Sequence, residues 1–304
     1  MTTRKIQPAF LKPGDEVAII SPSSYIGEDL LIEAVAFLEK WGLKVRTGKN
    51  AAKRNGPFAG NDEERLNDLQ EMTSDPDIKA VFCSRGGYGL LRIINRVDFS
   101  ALNKSPKWYA GFSDITILHT WLNDVCGVIS IHGEMPVNFH NSVKTNDTFV
   151  SLKQALFGEL RSIEWEGNFF RSRDVSGELT GGNLSLLYSL MGSRAELITR
   201  GKILFIEEVG ECYYHVDRML TSLKLAGKLD ELSALVVGGM NEISESKIPW
   251  GKNIEKTILD IVSEYNYPLL FSFPAGHVAD NRAFYIGKQA KIEVNSNRAI
   301  LSYV

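Results

Sequence analysis

The chain has 304 residues, of which 44% are hydrophobic and 23% are charged, so it is neither disordered nor fibrous. A formal net charge of −3 argues against a dedicated nucleic-acid binder and a polybasic membrane-surface protein. The three cysteines lie far apart and form no CxxC pair, which argues against a disulfide framework or a zinc ribbon. The first twenty residues contain no apolar core of signal-peptide length, and no stretch reaches the ~20 apolar residues of a membrane span. We therefore expect a cytoplasmic globular protein of two domains, without nucleic-acid or membrane partners.

Short apolar runs alternate with amphipathic stretches through the first half of the chain. The predicted strands cover residues 16–20, 43–45, 78–83, 108–112 and 128–132. Residues 30–38 have helical spacing, and Asn61 followed by Glu64 predicts a helix start, because an Asn side chain accepts backbone N–H bonds there. Strand–helix alternation implies crossover connections, and it therefore predicts an α/β fold with a parallel sheet.

The rhythm breaks between residues 141 and 174, where polar loops surround one predicted helix at 149–157. We place the first domain at 1–145, a linker at 146–172 and the second domain at 173–304. The second domain is predicted to have strands at 202–206, 234–239 and 269–273 and a helix at 213–225. Its tail, 291–304, alternates around residues 295–297, which is typical of a β-hairpin.

Residues 84–89, SRGGYG, follow the third predicted strand directly. Glycines at such a position let the backbone approach a ligand and expose N–H groups to an anion or oxyanion. The dinucleotide fingerprint GxGxxG is broken, because Arg92 stands where the third glycine belongs, and GxxxxGK[ST] is absent. The alternative is a glycine-rich turn with a structural role only.

Residues 111–116, GFSDIT, come at the end of the fourth predicted strand and open a helix. A serine on a strand-to-helix turn is where hydrolases place a nucleophile, and the N–H of the next residue points at the developing oxyanion. The hydrolase pattern GxSxG is incomplete, because Ile115 replaces its last glycine. By itself the segment fits a helix N-cap by Ser113 or Asp114 better than a nucleophile.

Two acids, Glu207 and Glu208, follow an apolar strand directly. Carboxylates at the carboxyl edge of a parallel strand usually face a ligand crevice, although a pair of solvated loop acids fits the spacing equally well. His277 lies on a polar loop after the strand at 269–273 and is the histidine best placed to act as a base.

The other histidines and Cys83 are weaker candidates. His119 lies within a predicted helix and His215 near a helix start, where surface or packing roles are expected. His132 follows a strand and ranks second as a base. Cys83 is expected to be a small buried hydrophobe. Ser113, Glu207 and His277 thus form a possible triad, although spacing alone does not show that their loops converge.

Six segments resemble, in order, those of the LD-carboxypeptidases, the serine peptidases that trim terminal D-alanine from murein tetrapeptides. They are LKPGDEVAIISPSS, SRGGYG, GFSDIT, GELTGGNLSLL, ILFIEEVGECYYHVDRML and FPAGHVADN, and they extend from about Leu11 to Ile292. The resemblance implies that Ser113 is the nucleophile, Glu207 the triad carboxylate and His277 the base. It also implies a flavodoxin-like N-terminal domain with a smaller β-rich C-terminal domain that carries Glu207 and His277.

The same resemblance gives further expectations about the reaction and the assembly. The N–H of Asp114 and that of Gly86 or Gly87 are expected to bind the oxyanion, no metal or cofactor is required, and a homodimer is implied. The microcin-immunity branch, which cleaves a peptidyl-nucleotide antibiotic, is the alternative; it is typically longer, so the length favours the murein-recycling branch. Glu134 stands where many relatives carry proline, which puts substrate contacts on that loop in doubt.

Two other classes of function are weaker. A nucleotide- or sugar-binding module has no use for a triad, and the broken GxGxxG disfavours an NAD-dependent oxidoreductase.

A carboxypeptidase must recognise a terminal carboxylate, and burying that charge unpaired is costly. Arg85, beside the glycine motif, is predicted to bind it bidentately, although pairing of Arg85 with a local acid is an equal alternative. Arg282, or backbone N–H groups near Gly181, Gly182 and Asn183, are the other predicted substrate contacts.

Overall fold

The computed structural model describes residues 5–140 and 144–304, which form two compact units. The first unit runs to Leu160 and also contains Ala279–Tyr285, and the second contains Arg161–Val278 and Ile286–Val304. Within the predicted linker, 146–172, the structure has a helix and two strands. Residues 141–143, at the start of the stretch where the sequence rhythm breaks, lie outside the described residues.

Regular secondary structure in the described residues consists mainly of short strands and α-helices. The strands are β1 (Glu16–Ile20), β2 (Lys44–Thr47), β3 (Ile78–Cys83), β4 (Trp108–Gly111), β5 (Ser130–His132), β6 (Ser162–Glu166), β7 (Phe169–Phe170), β8 (Val175–Asn183), β9 (Ile203–Val209), β10 (Ala234–Asn241), β11 (Leu269–Leu270), β12 (Phe284–Ile286), β13 (Gln289–Asn295) and β14 (Arg298–Tyr303). The α-helices are α1 (Glu28–Glu39), α2 (Asp62–Ser74), α3 (Thr116–Thr120), α4 (Asn146–Phe157), α5 (Leu184–Ser189), α6 (Tyr213–Leu225) and α7 (Ile254–Ile261).

The first sheet has the strand order β12-β5-β4-β3-β1-β2, and its pairs from β2 through β5 are parallel. The order 2-1-3-4-5 is that of flavodoxin-like folds, so the predicted α/β class is confirmed. All of β1 after Glu16 is buried, as expected of a parallel strand covered on both faces. In such a sheet ligands bind at the carboxyl ends of the strands, where β1 and β3 diverge.

Local sequence signals explain where the helices of this unit begin. Asn61 accepts a hydrogen bond from the Glu64 N–H at 3.0 Å, and Glu64 accepts one from the Asn61 N–H at 2.9 Å. This reciprocal capping box starts α2 at the position that the sequence predicts. Thr145 caps α4 in a similar way through the Thr148 N–H.

The second unit is built on a mixed sheet of order β6-β14-β13-β8-β9-β10-β11-β7. Strands β8, β9, β10 and β11 pair in parallel, whereas β13 and β14 form the predicted antiparallel hairpin. Leu204, Ile206, Leu220, Leu223 and Ile258 belong to one apolar core in which α6 and α7 contribute side chains beside β9. None of the described helices is long and apolar enough to cross a bilayer.

A buried histidine anchors the carboxyl end of β4. His119 on α3 lies 2.8 Å from the Gly111 carbonyl oxygen through Nε2 and 2.9 Å from Ser130 Oγ through Nδ1. Burial lowers the pKa of His119 to about 4. The ring is therefore neutral near pH 7, with Nε2–H donating to the carbonyl and Nδ1 accepting from the serine.

His119 makes the stability of the protein sensitive to mild acid. As the pH falls below about 6.5, the unfolded chain binds a proton at His119 and the folded chain does not, so the free energy of unfolding decreases. We expect this residue to remove about 2 kcal/mol between pH 7 and pH 5. Urea unfolding of wild type and His119→Gln at both pH values measures it, since Gln does not titrate. An equal loss of stability in the two proteins would contradict the assignment.

Candidate active site

Ser113 lies on a turn of unusual backbone conformation at the end of β4. Phe112 is extended, and Ser113 then has a φ of +64°. This left-handed region costs a non-glycine residue about 1–3 kcal/mol, and such residues cluster at functional sites. Neither the Ser113 nor the Asp114 side chain caps the following helix, so the simpler N-cap interpretation is wrong. The turn instead presents Ser113 as a half-buried side chain at the carboxyl edge of the sheet.

The glycine motif after β3 approaches this turn through Gly86. A Cβ atom added to Gly86 would lie 2.8 Å from Ser113 Cβ, 2.9 Å from its Oγ and 3.4 Å from the Asp114 nitrogen. Any other residue would therefore displace the serine. The backbone at Gly86 therefore lies close to Ser113 Oγ and to the Asp114 nitrogen, and the role of these N–H groups as oxyanion donors stays a prediction.

The Asp114 side chain points away from solvent and joins two loops. Its Oδ2 accepts hydrogen bonds from Ser23 Oγ at 2.6 Å and from the Leu90 N–H at 3.0 Å. Burial raises the pKa of this carboxyl. The sequence predicts a role only for the backbone of Asp114, and it gives no role to Ser23. Ser23 could have been found as a polar residue just after the carboxyl end of β1, where ligands bind in such sheets.

Two of the weaker candidates have packing roles. Cys83 is buried, and burial raises the pKa of its thiol, so it is not a ready nucleophile. His132 is buried as well, with its ring stacked on Phe284 at a centroid distance of 4.5 Å.

The second unit holds an imidazole paired with a carboxylate. Glu207, fully buried on β9, lies with Oε2 2.7 Å from His277 Nδ1, and the same oxygen accepts the His277 backbone N–H at 3.2 Å. The His277 side chain is 25% exposed. A carboxylate that accepts the Nδ1–H fixes the tautomer in which Nε2 carries the lone pair, as a general base requires.

Gly276 allows this pair to form. It has a φ of +104°, and an added Cβ atom would lie 2.7 Å from Glu207 Oε2. The Asn241 side chain donates a hydrogen bond to the His277 carbonyl oxygen and holds the loop from the other side.

The neighbouring acid, Glu208, is directed elsewhere, as side-chain alternation along a strand predicts. It is 2% exposed, and its oxygens accept from Asn183 Nδ2 at 3.0 Å, the Ser185 N–H at 2.8 Å and the Val209 N–H at 2.9 Å. Burial raises the pKa of Glu208. The interpretation of both acids as solvated loop residues is therefore wrong. Asn183 also caps α5, and its contact with substrate stays a prediction.

The predicted carboxylate-binding arginines have different surroundings. Arg85 is exposed, and its described contacts contain a 3.4 Å hydrogen bond to the Tyr25 carbonyl oxygen but no ion pair. Arg282 pairs with Asp280 at 2.8 Å and with Asp147 at 3.2 Å. Arg85 is thus better placed to receive an anionic ligand.

Glu134, the departure from the family pattern, is a buried structural group. Its carboxylate lies 3.0 Å from Lys144 Nζ and accepts hydrogen bonds from Asn138 and Asn281 at 2.8 Å and 3.1 Å. These contacts satisfy both oxygens of the Glu134 carboxylate.

A serine on a strained turn and a carboxylate-oriented imidazole are the parts that a serine hydrolase uses. Residues 17–133 match the LD-carboxypeptidase N-terminal domain, and residues 176–292 match the LD-carboxypeptidase C-terminal domain. The chain belongs to the LD-carboxypeptidase family of serine peptidases.

Relatives are similar over nearly their whole length. The probable murein peptide carboxypeptidase of Bacillus subtilis is 36% identical over 97% of this chain and 94% of its own. The murein tetrapeptide carboxypeptidase of Pseudomonas aeruginosa is 31% identical over 98% of this chain and 100% of its own.

Solved structures agree with the fold. The muramoyltetrapeptide carboxypeptidase of Oxalobacter formigenes superposes with a TM-score of 0.87 at 30% identity, covering 95% of this chain and 98% of its own. The microcin C7 self-immunity protein superposes with a TM-score of 0.88 at 21% identity, covering 98% of this chain and 99% of its own, and shows a common fold.

Substitutions of the two adjacent acids are predicted to have different effects, on catalysis at Glu207 and on stability at Glu208. Glu207→Gln should lower kcat by about 10⁴-fold, because the wrong imidazole tautomer is then favoured. Glu208→Gln should lower Tm by several degrees, because an amide N–H₂ then faces backbone donors, and leave kcat within a few-fold of wild type. Steady-state kinetics and thermal melting of both variants measure this. The reverse order of the two kcat losses would show that the carboxylate assignment is wrong by one residue.

Proposed function

We propose that this protein is a serine carboxypeptidase that hydrolyses the L,D peptide bond releasing terminal D-alanine from murein tetrapeptides. The observation that carries the proposal is the left-handed backbone of Ser113, a strained conformation held on a motif serine beside the glycine motif. The names of the murein carboxypeptidases to which the chain is similar support the substrate.

In the proposed reaction, Ser113 Oγ attacks the carbonyl carbon of the L-centre while His277 Nε2 accepts the hydroxyl proton. Glu207 stabilises the imidazolium, and the N–H of Asp114 with that of Gly86 or Gly87 binds the oxyanion. His277 then protonates the amine of the leaving D-alanine, and the C–N bond breaks. A water molecule, deprotonated by His277, attacks the acyl-enzyme, releases the tripeptide acid and returns the proton to Ser113 Oγ. None of these steps calls for a metal or a cofactor.

We also propose the setting in which the enzyme acts. The family resemblance supports a cytoplasmic homodimer that works in peptidoglycan recycling, and the net charge of −3 supports the absence of nucleic-acid and anionic-membrane partners. The substrate panel for wild type should contain L,D-tetrapeptide, L,L-tetrapeptide and a peptidyl-nucleotide. Faster turnover of the peptidyl-nucleotide would favour the microcin-immunity alternative.

Ser113→Ala should abolish turnover of L,D-tetrapeptide and labelling by a fluorophosphonate, because the attacking oxygen is lost. Ser272→Ala is the matched control, since Ser272 is an exposed serine whose φ is also +64°. We expect the control to keep wild-type activity and labelling, with both variants melting near wild type. Activity of Ser113→Ala within tenfold of wild type would overturn the nucleophile assignment.

Arg85→Lys should raise KM for the tetrapeptide by about tenfold, because an ammonium cannot reproduce the bidentate guanidinium–carboxylate pair. A substrate amidated at its C-terminus should be poor for wild type and nearly unaffected by the substitution. The control is Arg54→Lys, whose parent guanidinium lies 4.4 Å from the centroid of the Tyr25 ring. Measured kcat/KM values for acid and amide substrates decide the matter. If Arg85→Lys prefers the acid over the amide substrate by the same ratio of kcat/KM values as wild type, the substrate carboxylate is recognised elsewhere.

A further inference from the structure

The turn that follows β1 contains three serines, and the mechanism assigns a role to none of them. We call residues 21–24, SPSS, the serine turn. We propose that the serine turn positions the oxyanion donors, with Ser23 and Ser24 acting as positioning residues for Asp114 and for the glycine motif. This inference rests on the proposed function, because it concerns the donors of that reaction.

The topology of the first sheet explains why such a device lies at this place. β1 lies between β2 and β3, at the point where connections leave to opposite faces of the sheet and a crevice opens. The serine turn leaves one side of this crevice and the glycine motif leaves the other. Hydrogen bonds across the crevice can therefore hold the glycine backbone in place beside Ser113.

The serine turn contacts the beginning and the middle of the glycine motif. Ser21 Oγ donates to the Ala51 carbonyl oxygen at 2.7 Å and lies 2.5 Å from Ser84 Oγ, which is then the donor of that pair. The Ser24 N–H donates to the Gly86 carbonyl oxygen at 3.1 Å. The Tyr88 N–H donates to Ser24 Oγ at 3.4 Å.

The end of the glycine motif is joined to the nucleophile turn through Asp114. Its Oδ2 accepts from Ser23 Oγ at 2.6 Å and from the Leu90 N–H at 3.0 Å, and Ser23 is fully buried. One carboxylate oxygen therefore links the serine turn, the residue just after the glycine motif and the residue whose N–H is a proposed oxyanion donor. Two hydrogen bonds that converge on one buried oxygen fix the position of the Asp114 side chain relative to both loops.

A defect in this linkage should appear in the transition state more than in substrate binding. The oxyanion exists only after Ser113 has attacked, so displaced donors lower kcat and leave KM almost unchanged. A displacement of about 1 Å near reacting groups can cost about 10²-fold in rate.

The experiment compares Ser23→Ala and Ser24→Ala with a matched control, Thr73→Val. Thr73 carries a buried hydroxyl in the same unit, 2.9 Å from Tyr109 Oη, on α2. Measured quantities are kcat and KM for L,D-tetrapeptide, the rate of fluorophosphonate labelling, and Tm. We expect Ser23→Ala to lower kcat and labelling by about 10- to 100-fold with KM within twofold of wild type. Ser24→Ala should lower kcat several-fold at unchanged Tm, and Thr73→Val should lower Tm as much as Ser23→Ala without loss of kcat.

The outcomes separate this inference from the proposed function. Wild-type kcat in Ser23→Ala and Ser24→Ala, with an inactive Ser113→Ala, would overturn the inference and leave the function standing. A raised KM at unchanged kcat would also overturn it, because the serine turn would then bind substrate. If Ser23→Ala does not fold, the kcat of Ser24→Ala tests the inference instead. The Ser24 side chain is only half-buried, so we expect this variant to fold. A wild type that neither labels nor turns over substrate would overturn both.

Discussion

The left-handed backbone at Ser113 is the constraint on which the rest of the first unit depends. A φ of +64° costs serine about 1–3 kcal/mol, and at Ser113 the contacts around the turn offset this cost. His119 holds the Gly111 carbonyl before the turn, and the Asp114 carboxylate holds the loops that flank it. Gly86 lies so close that no larger residue is compatible with the serine. Several buried polar groups thus maintain one strained residue.

In the second unit, two adjacent buried acids make different contacts and have different roles. Strand geometry turns Glu207 and Glu208 to opposite sides of β9, and each finds its own donors. Glu207 orients an imidazole, whereas Glu208 accepts hydrogen bonds from the Ser185 N–H in the first turn of α5 and from the side chain of Asn183. Burial makes both interactions strong, because water does not compete for the carboxylates.

Family membership and local geometry answer separate questions about this protein. The relationship to LD-carboxypeptidases, at 36% identity to one relative over 97% of the chain, establishes the reaction class. The geometry explains how the parts are held, and it distinguishes between residues that sequence treats alike. Arg282 is occupied by two aspartates, whereas the described contacts of Arg85 contain no ion pair.

The sequence by itself determined the features that depend on near neighbours and on a repeated pattern. Apolar runs located the strands, and the Asn61–Glu64 pair located the start of α2. The ordered motifs predicted Ser113, Glu207 and His277 as the triad. Only the tertiary structure decided the partners of Asp114, the burial of Glu208 and the role of His119. Ser23 and Asp114 are 91 positions apart, and Glu208 and Asn183 are 25 apart. Contacts at such separations follow from strand order and packing, which no local pattern of residues encodes.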